Sequence, residues 1–175
     1  MMDEYQKRYT AHQQRKKEVL SKLTRERHSS RVFGKEQVDG TVISELIADC
    51  NCCPSSCDRK AISVQAECDR DIKALLGGVL VGGVGWIHRA SCILLIFADP
   101  IAYKAGDEIN FMPYLDAGCV IQQLYLSATS HDLKCCYVNP NVREFNVGHF
   151  KNIFGDKIFC GAFAVGLPPL GEGKL

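Results

Sequence analysis

No apolar run in this 175-residue chain approaches the roughly 18 residues of a membrane span. The N-terminus is charged from Asp3 onward and has no apolar segment of the kind a secretory signal carries. Both absences point to a soluble cytoplasmic protein. An excess of one charge is missing as well: 21 Lys/Arg stand against 20 Asp/Glu, a net +1. The balance is uneven, with nine basic against four acidic residues over 1–31 and twelve against sixteen over 32–175. Aromatic residues do not interleave with the basic ones as a single-strand nucleic-acid platform requires, so neither nucleic acid nor a membrane is expected as a partner.

Other absences narrow the chemistry. Gly83-Val84-Gly85 lacks the third glycine of a dinucleotide fingerprint, and no P-loop is present. No G-x-S-x-G elbow supports a serine hydrolase. The one C-x-x-C, Cys50 to Cys53, lies at a helix end and has no second ligand pair at zinc spacing, so no metal is expected. The ten cysteines are scattered through segments that read as core, where reduced thiols act as small hydrophobes. A thiol-redox or metal-responsive role for Cys50, Cys52, Cys53 and Cys57 is kept as a third reading.

What is present suits one domain. Residues 3–26 read as an amphipathic helix with Tyr5, Tyr9, His12, Lys16, Val19/Leu20 and Leu23 on one stripe. A second helix follows an Asp39 N-cap, with Val42, Ile43, Leu46, Ile47 and Cys50 inward and Pro54 beyond its end. Residues 61–66 alternate and read as a strand, and Asp69 and Asp71 open a helix through Val79. A glycine-rich connector leads to residues 92–97, a continuous apolar run typical of a strand buried on both faces. Residues 99–113 read as a loop, 114–130 as a long helix, 135–138 as a strand, 142–153 as a weaker helix and 158–165 as a final strand. The irregular interleaving predicts an α+β fold with a mixed central β-sheet flanked by helices.

Two segments carry anion-binding chemistry. Arg27-His28-Ser29-Ser30-Arg31 packs guanidiniums, an imidazole and hydroxyls into five residues, and arginine forks and serine hydroxyls suit phosphate oxygens. Pro54-Ser55-Ser56-Cys57-Asp58 is a rigid, hydroxyl-rich turn between two apolar segments. With Asp116-Ala117-Gly118 in the long helix and Cys136-Tyr137-Val138-Asn139-Pro140 after it, their order resembles the nitroreductase family of flavoproteins, over residues 20–167.

That resemblance implies a homodimer with FMN at the subunit interface and a single domain over residues 27–175, preceded by a helical arm over 1–26. It implies that Arg27, His28, Ser29 and Arg31 hold the ribityl phosphate and the pyrimidine edge, while Pro54, Ser55, Ser56 and Asp58 come from the other subunit. The backbone at Val138 and Asn139 faces flavin N5, and Tyr103, Phe111, Met112, Tyr114 and Trp86 are candidates to cover a substrate. The implied activity passes two electrons from NAD(P)H to an organic acceptor, nitro-aromatic, quinone or similar, by ping-pong, with no catalytic side chain. The alternative is a degenerate relative that binds flavin weakly or not at all and serves as a partner-binding protein. Two departures from the family pattern favour that alternative, Asp58 for the usual Asn and Lys60 for the usual Gln, while the intact Arg27–Arg31 cluster opposes it; Asp132 and Lys134 also replace a glycine pair. A basic C-terminal segment has no counterpart before Leu175, which leaves Lys174 as its candidate replacement.

Overall fold

The computed structural model describes residues 2–104 and 106–171; Lys174 lies outside them. In chain order the elements are α1 (Met2–Glu26), α2 (Gly40–Cys50), β1 (Ile62–Glu67), α3 (Arg70–Val79), β2 (Cys92–Ala98), α4 (Glu108–Ser130), β3 (Lys134–Val138), α5 (Val147–Phe154) and β4 (Ile158–Gly166). The Asp39 cap forms as the sequence suggests, and Asp69, read there as an acidic residue at a helix start, is a cap as well. Asp39 accepts from the Thr41 amide at 2.7 Å, and Asp69 from those of Asp71 and Ile72 at 2.8 and 3.0 Å. Each bond satisfies a helix-start amide that has no partner within its helix.

The four strands are ordered β1-β2-β4-β3, and every neighbouring pair is antiparallel. The α+β class holds, but among the described residues the sheet is antiparallel, not mixed. The reason lies in the α4 crossover: β2 and β3 run in the same direction but are not neighbours, because β4 returns between them. β2 is buried along its whole length, as a strand covered on both faces must be. On one face Leu94, Ile96, Phe163 and Val165 pack under α2 and α4; on the other Ile93, Leu95, Phe97 and Ala164 pack under α3, α5 and the connector. Gly161, at φ +122° beside a register shift, is required here, since a Cβ would lie 2.5 Å from the Tyr137 ring.

Two boundaries differ from the sequence reading. α4 begins at Glu108, so the predicted loop over 99–113 is half helix, and Pro113 sits buried in its second turn. Proline there removes one backbone bond, but an ion pair from Arg59 to Glu108 holds the preceding turn. The weaker helix starts at Val147, because Val142 bridges Leu80 and residues 144–146 form a 3₁₀ turn. α1 is helical as expected, yet its stripe is uncovered, with Tyr5, Tyr9, Val19 and Leu20 all exposed. No described helix is long and apolar enough to cross a membrane.

Candidate functional site

The Arg27–Arg31 segment leaves α1 and lies along the β3 edge of the sheet. The Ser30 amide donates to the Cys135 carbonyl at 2.7 Å, and the Gly34 amide to that of Leu167 at 2.7 Å. Each backbone bond fixes the segment while leaving its side chains to other partners. Arg27 places its guanidinium 5.2 Å from the centre of the Tyr125 ring, and Arg31 lies 5.4 Å from that of Trp86, both within cation–π range. His28 Nε2 is 3.5 Å from Lys134 Nζ, which makes this corner strongly basic.

Tyr125 is the post that joins these parts, and sequence reading gave it no functional role. Its hydroxyl accepts from the Tyr137 amide and lies against Ser29 Oγ, both at 2.9 Å, while its ring meets Phe163 edge-on. The available signal was a phenol beside aliphatic residues in the second half of α4. Trp86 is buried, stacks on Phe33 and donates from Nε1 to the Gly82 carbonyl at 2.9 Å. Gly82 in turn meets Val138: a Cβ there would be 3.0 Å from Val138 Cγ1 and 3.9 Å from Asn139 Oδ1. Arg31, Trp86, Gly82, Val138 and Asn139 thus form one run of contacts, in which the missing Cβ of Gly82 lets Val138 approach its backbone.

The Pro54–Asp58 turn is built differently. Cys57, Asp58 and Lys60 all have positive φ, near +50°, a left-handed conformation that costs a non-glycine residue about 1–2 kcal/mol. Internal bonds hold the turn in that shape. Ser55 Oγ accepts from the Lys60 amide at 2.9 Å, the Ser56 amide donates to Asp116 Oδ1 at 2.8 Å, and Lys60 Nζ donates to the Cys53 carbonyl at 2.7 Å. Asp116, 5% exposed, also accepts from the Tyr103 hydroxyl at 3.0 Å. Burial, then the Asp116 hydrogen bond, pushes the Tyr103 phenol well above its ordinary value. Beside it the Arg59 guanidinium, hydrogen-bonded to Glu108, holds that carboxyl below its usual range. Sequence reading missed Glu108, and Asp116 appeared in it only as part of a helix motif.

The chain does not bring the two segments together. The first borders β3 and the second precedes β1, the opposite edges of the sheet, about 14 Å apart at three strand spacings. Their anchors on α4, Tyr125 and Asp116, are nine residues apart, roughly 13.5 Å along the axis and half a turn round it. The five candidate substrate residues are split likewise. Trp86 packs in the cluster under α3 and α5, whereas Tyr103 and Met112 pack in that under α2 and α4. Phe111 and Tyr114 stand half exposed on α4.

All ten cysteines are free, six buried and four exposed. In the Cys50–Cys57 group, Cys50 and Cys53 are buried and Cys52 and Cys57 exposed. Burial pushes the Cys50 thiol up to about 12.

A model of the Nitroreductase family matches residues 73–166, more than half of the chain. The chain belongs to the nitroreductase family. Solved structures agree on the fold. A nitroreductase-type protein of Desulfovibrio desulfuricans, in complex with FMN, is 20% identical, with a TM-score of 0.73 over 90% of this chain and 89% of that one. A nitroreductase family protein of Streptococcus pneumoniae is 15% identical, with a TM-score of 0.75 over 89% and 92%. The NADPH:FMN oxidoreductase of Vibrio harveyi, complexed with NAD+, is 16% identical, with a TM-score of 0.74 over 86% and 69%. Among curated proteins none matches the chain.

Proposed function

We propose that this nitroreductase-family protein is a cytoplasmic, FMN-dependent oxidoreductase that works as a homodimer. It passes two electrons from NAD(P)H to a small organic acceptor, such as a nitro-aromatic or a quinone, in ping-pong order. The observation that carries this reading is the separation of two well-built half-sites to opposite edges of one sheet. A second copy lets the Arg27–Arg31 corner of one protomer face the Pro54–Asp58 turn of the other.

The residues of the first corner suit the cofactor. Two guanidiniums four residues apart and a serine hydroxyl supply donors for a phosphate at one end and a carbonyl-rich ring edge at the other. Bound FMN would supply the redox chemistry, accepting hydride at N5 and returning two electrons to the acceptor. Arg27, His28 and Ser29 hold the phosphate in this reading, with Tyr125 fixing Ser29. Arg31 sets positive charge beside the pyrimidine edge, where reduction adds negative charge. Gly82, Val138 and Asn139 offer backbone at close approach to the ring, and Phe111 and Tyr114 provide apolar surface for an acceptor. Pro54, Ser55, Ser56 and Asp58 close the site from the other subunit.

One observation favours the degenerate, partner-binding alternative: the polar groups of the Pro54–Lys60 turn are largely bonded inward. Flavin uptake separates the two readings. Protein incubated with FMN and desalted should be yellow, bleach on addition of NAD(P)H, and give parallel double-reciprocal plots with a quinone acceptor. A colourless protein that takes up no FMN would establish the alternative.

A further inference from the structure

The β1–β2 ladder pairs Ile62 with Ala98 and runs through Glu67 opposite Ile93, so one step further sets Cys68 opposite Cys92. Directly opposed residues of an antiparallel pair have Cα atoms about 4.5–5.5 Å apart and side chains on the same face, inside the 4.4–6.8 Å window of a disulfide. The two sulfurs are differently placed: Cys68 is exposed and Cys92 is buried under the α2–α4 face. A third group attends them. Lys73 is itself buried, and its ammonium donates to the Ala90 and Ser91 carbonyls at 2.9 and 3.0 Å, directly ahead of Cys92 in the chain. Among the described residues no carboxylate pairs with it.

We propose that Cys68 and Cys92 are a thiol–disulfide exchange pair, with exposed Cys68 the attacking sulfur and buried Cys92 the resolving one, oxidised by low-molecular-weight disulfides. The Cys68 thiolate attacks one sulfur of the small disulfide, forms a mixed disulfide and expels one small thiolate. Cys92 then loses its proton and attacks the Cys68 sulfur, which closes the protein disulfide and expels the second thiolate. Two protein thiols are oxidised, one small disulfide is reduced, and the two protons end on the two small thiols.

The order follows from the surroundings. Burial first, and then the hydrogen bond to Cys68, hold the Cys92 thiol well above its ordinary value, while the Lys73 ammonium pulls the other way. Cys92 therefore stays protonated at rest, and Lys73 stabilises its thiolate when the mixed disulfide forms. The closed loop, residues 69–91, contains α3, Gly82 and Trp86, so the bond would fasten the run of contacts beside Arg31. The pair stands independently of flavin binding.

The test uses the full chain and oxidised glutathione, with acid quenching, thiol counting in denaturant and peptide mapping. Wild type should lose the Cys68 and Cys92 thiols together, retain no glutathione at Cys68, and yield a Cys68–Cys92 linked peptide, with peptide mapping separating this pair from exposed Cys52, Cys57 and Cys119. Cys92→Ser should stop with one glutathione on Cys68, and Cys68→Ser should leave Cys92 a free thiol. Wild type that keeps glutathione on Cys68 with Cys92 still free would overturn the proposal, as would a Cys68 that never reacts.

Discussion

The Arg27–Arg31 segment and the Pro54–Lys60 turn differ in how their polar groups are used. Along β3, the Arg27–Arg31 segment is held by backbone bonds, and its two guanidiniums rest on aromatic faces. Before β1, the Pro54–Lys60 turn spends the Lys60 amide and the Ser55 hydroxyl on each other and the Ser56 amide on buried Asp116, with three left-handed residues in the same turn. An arginine over a ring keeps its donors for a ligand at little cost to the fold. A turn closed on a buried carboxylate is a structural part whose shape, more than its donors, meets whatever lies opposite. Substitutions should therefore separate: those at the first segment alter binding, and those at the second alter stability.

The largest effect is expected at the buried carboxylate. Asp116→Ala leaves the Ser56 amide and the Tyr103 hydroxyl without their acceptor, at about 1–3 kcal/mol each. Urea denaturation should show a loss of about 3 kcal/mol; a loss below 1 kcal/mol would erase the contrast between the halves. Arg27→Ala should act the other way, weakening FMN by roughly 10–100-fold, or about 1.5–3 kcal/mol, with the urea midpoint nearly unchanged. Titration followed by flavin fluorescence reads the first quantity and unfolding the second.

A smaller effect concerns pH. Burial pushes the thiols of Cys50, Cys135 and Cys160 and the phenol of Tyr137 up to about 12. The unfolded chain releases these protons near 9 for cysteine and 10 for tyrosine, so between pH 9 and 12 the native state binds more protons. Stability is then fully present below pH 9 and falls as pH rises through that window. Melting temperatures from pH 7 to 10.5 should be flat and then decline, and Cys160→Ala should make the decline shallower. The smallest effect is at the strained turn: Cys57→Gly, relieving φ +51°, should stabilise by about 0.5–1 kcal/mol and leave FMN affinity alone. Destabilisation by this change would mean that the turn is not strained.

What the sequence made legible was local. Asp39 and Asp69 announce helix starts because a short acceptor before an apolar period has one common use, and residues 92–97 announce a strand covered on both faces because no polar residue interrupts them. The start of α4 was hidden because Pro113 reads as a breaker, whereas the Arg59–Glu108 pair that holds the earlier turn joins residues 49 positions apart. The antiparallel order was hidden for a similar reason: that β4 slots between β2 and β3 is a fact of tertiary pairing, not of any one segment. In the candidate site the basic segment was visible by composition. Tyr125, which fixes it, was not, because its partners Ser29 and Tyr137 lie 96 and 12 residues away. The apolar stripe of α1 was legible too, but periodicity says only that a face is apolar, and in this chain that face is exposed.

In the proposed arrangement one copy of the chain holds only half of each flavin site. Sedimentation of FMN-loaded protein, followed at the flavin absorbance band, tests it most directly. The expected result is that all bound flavin travels with a dimer at two FMN per dimer, and that dilution into monomer releases it. Flavin sedimenting with a stable monomer would rule that arrangement out.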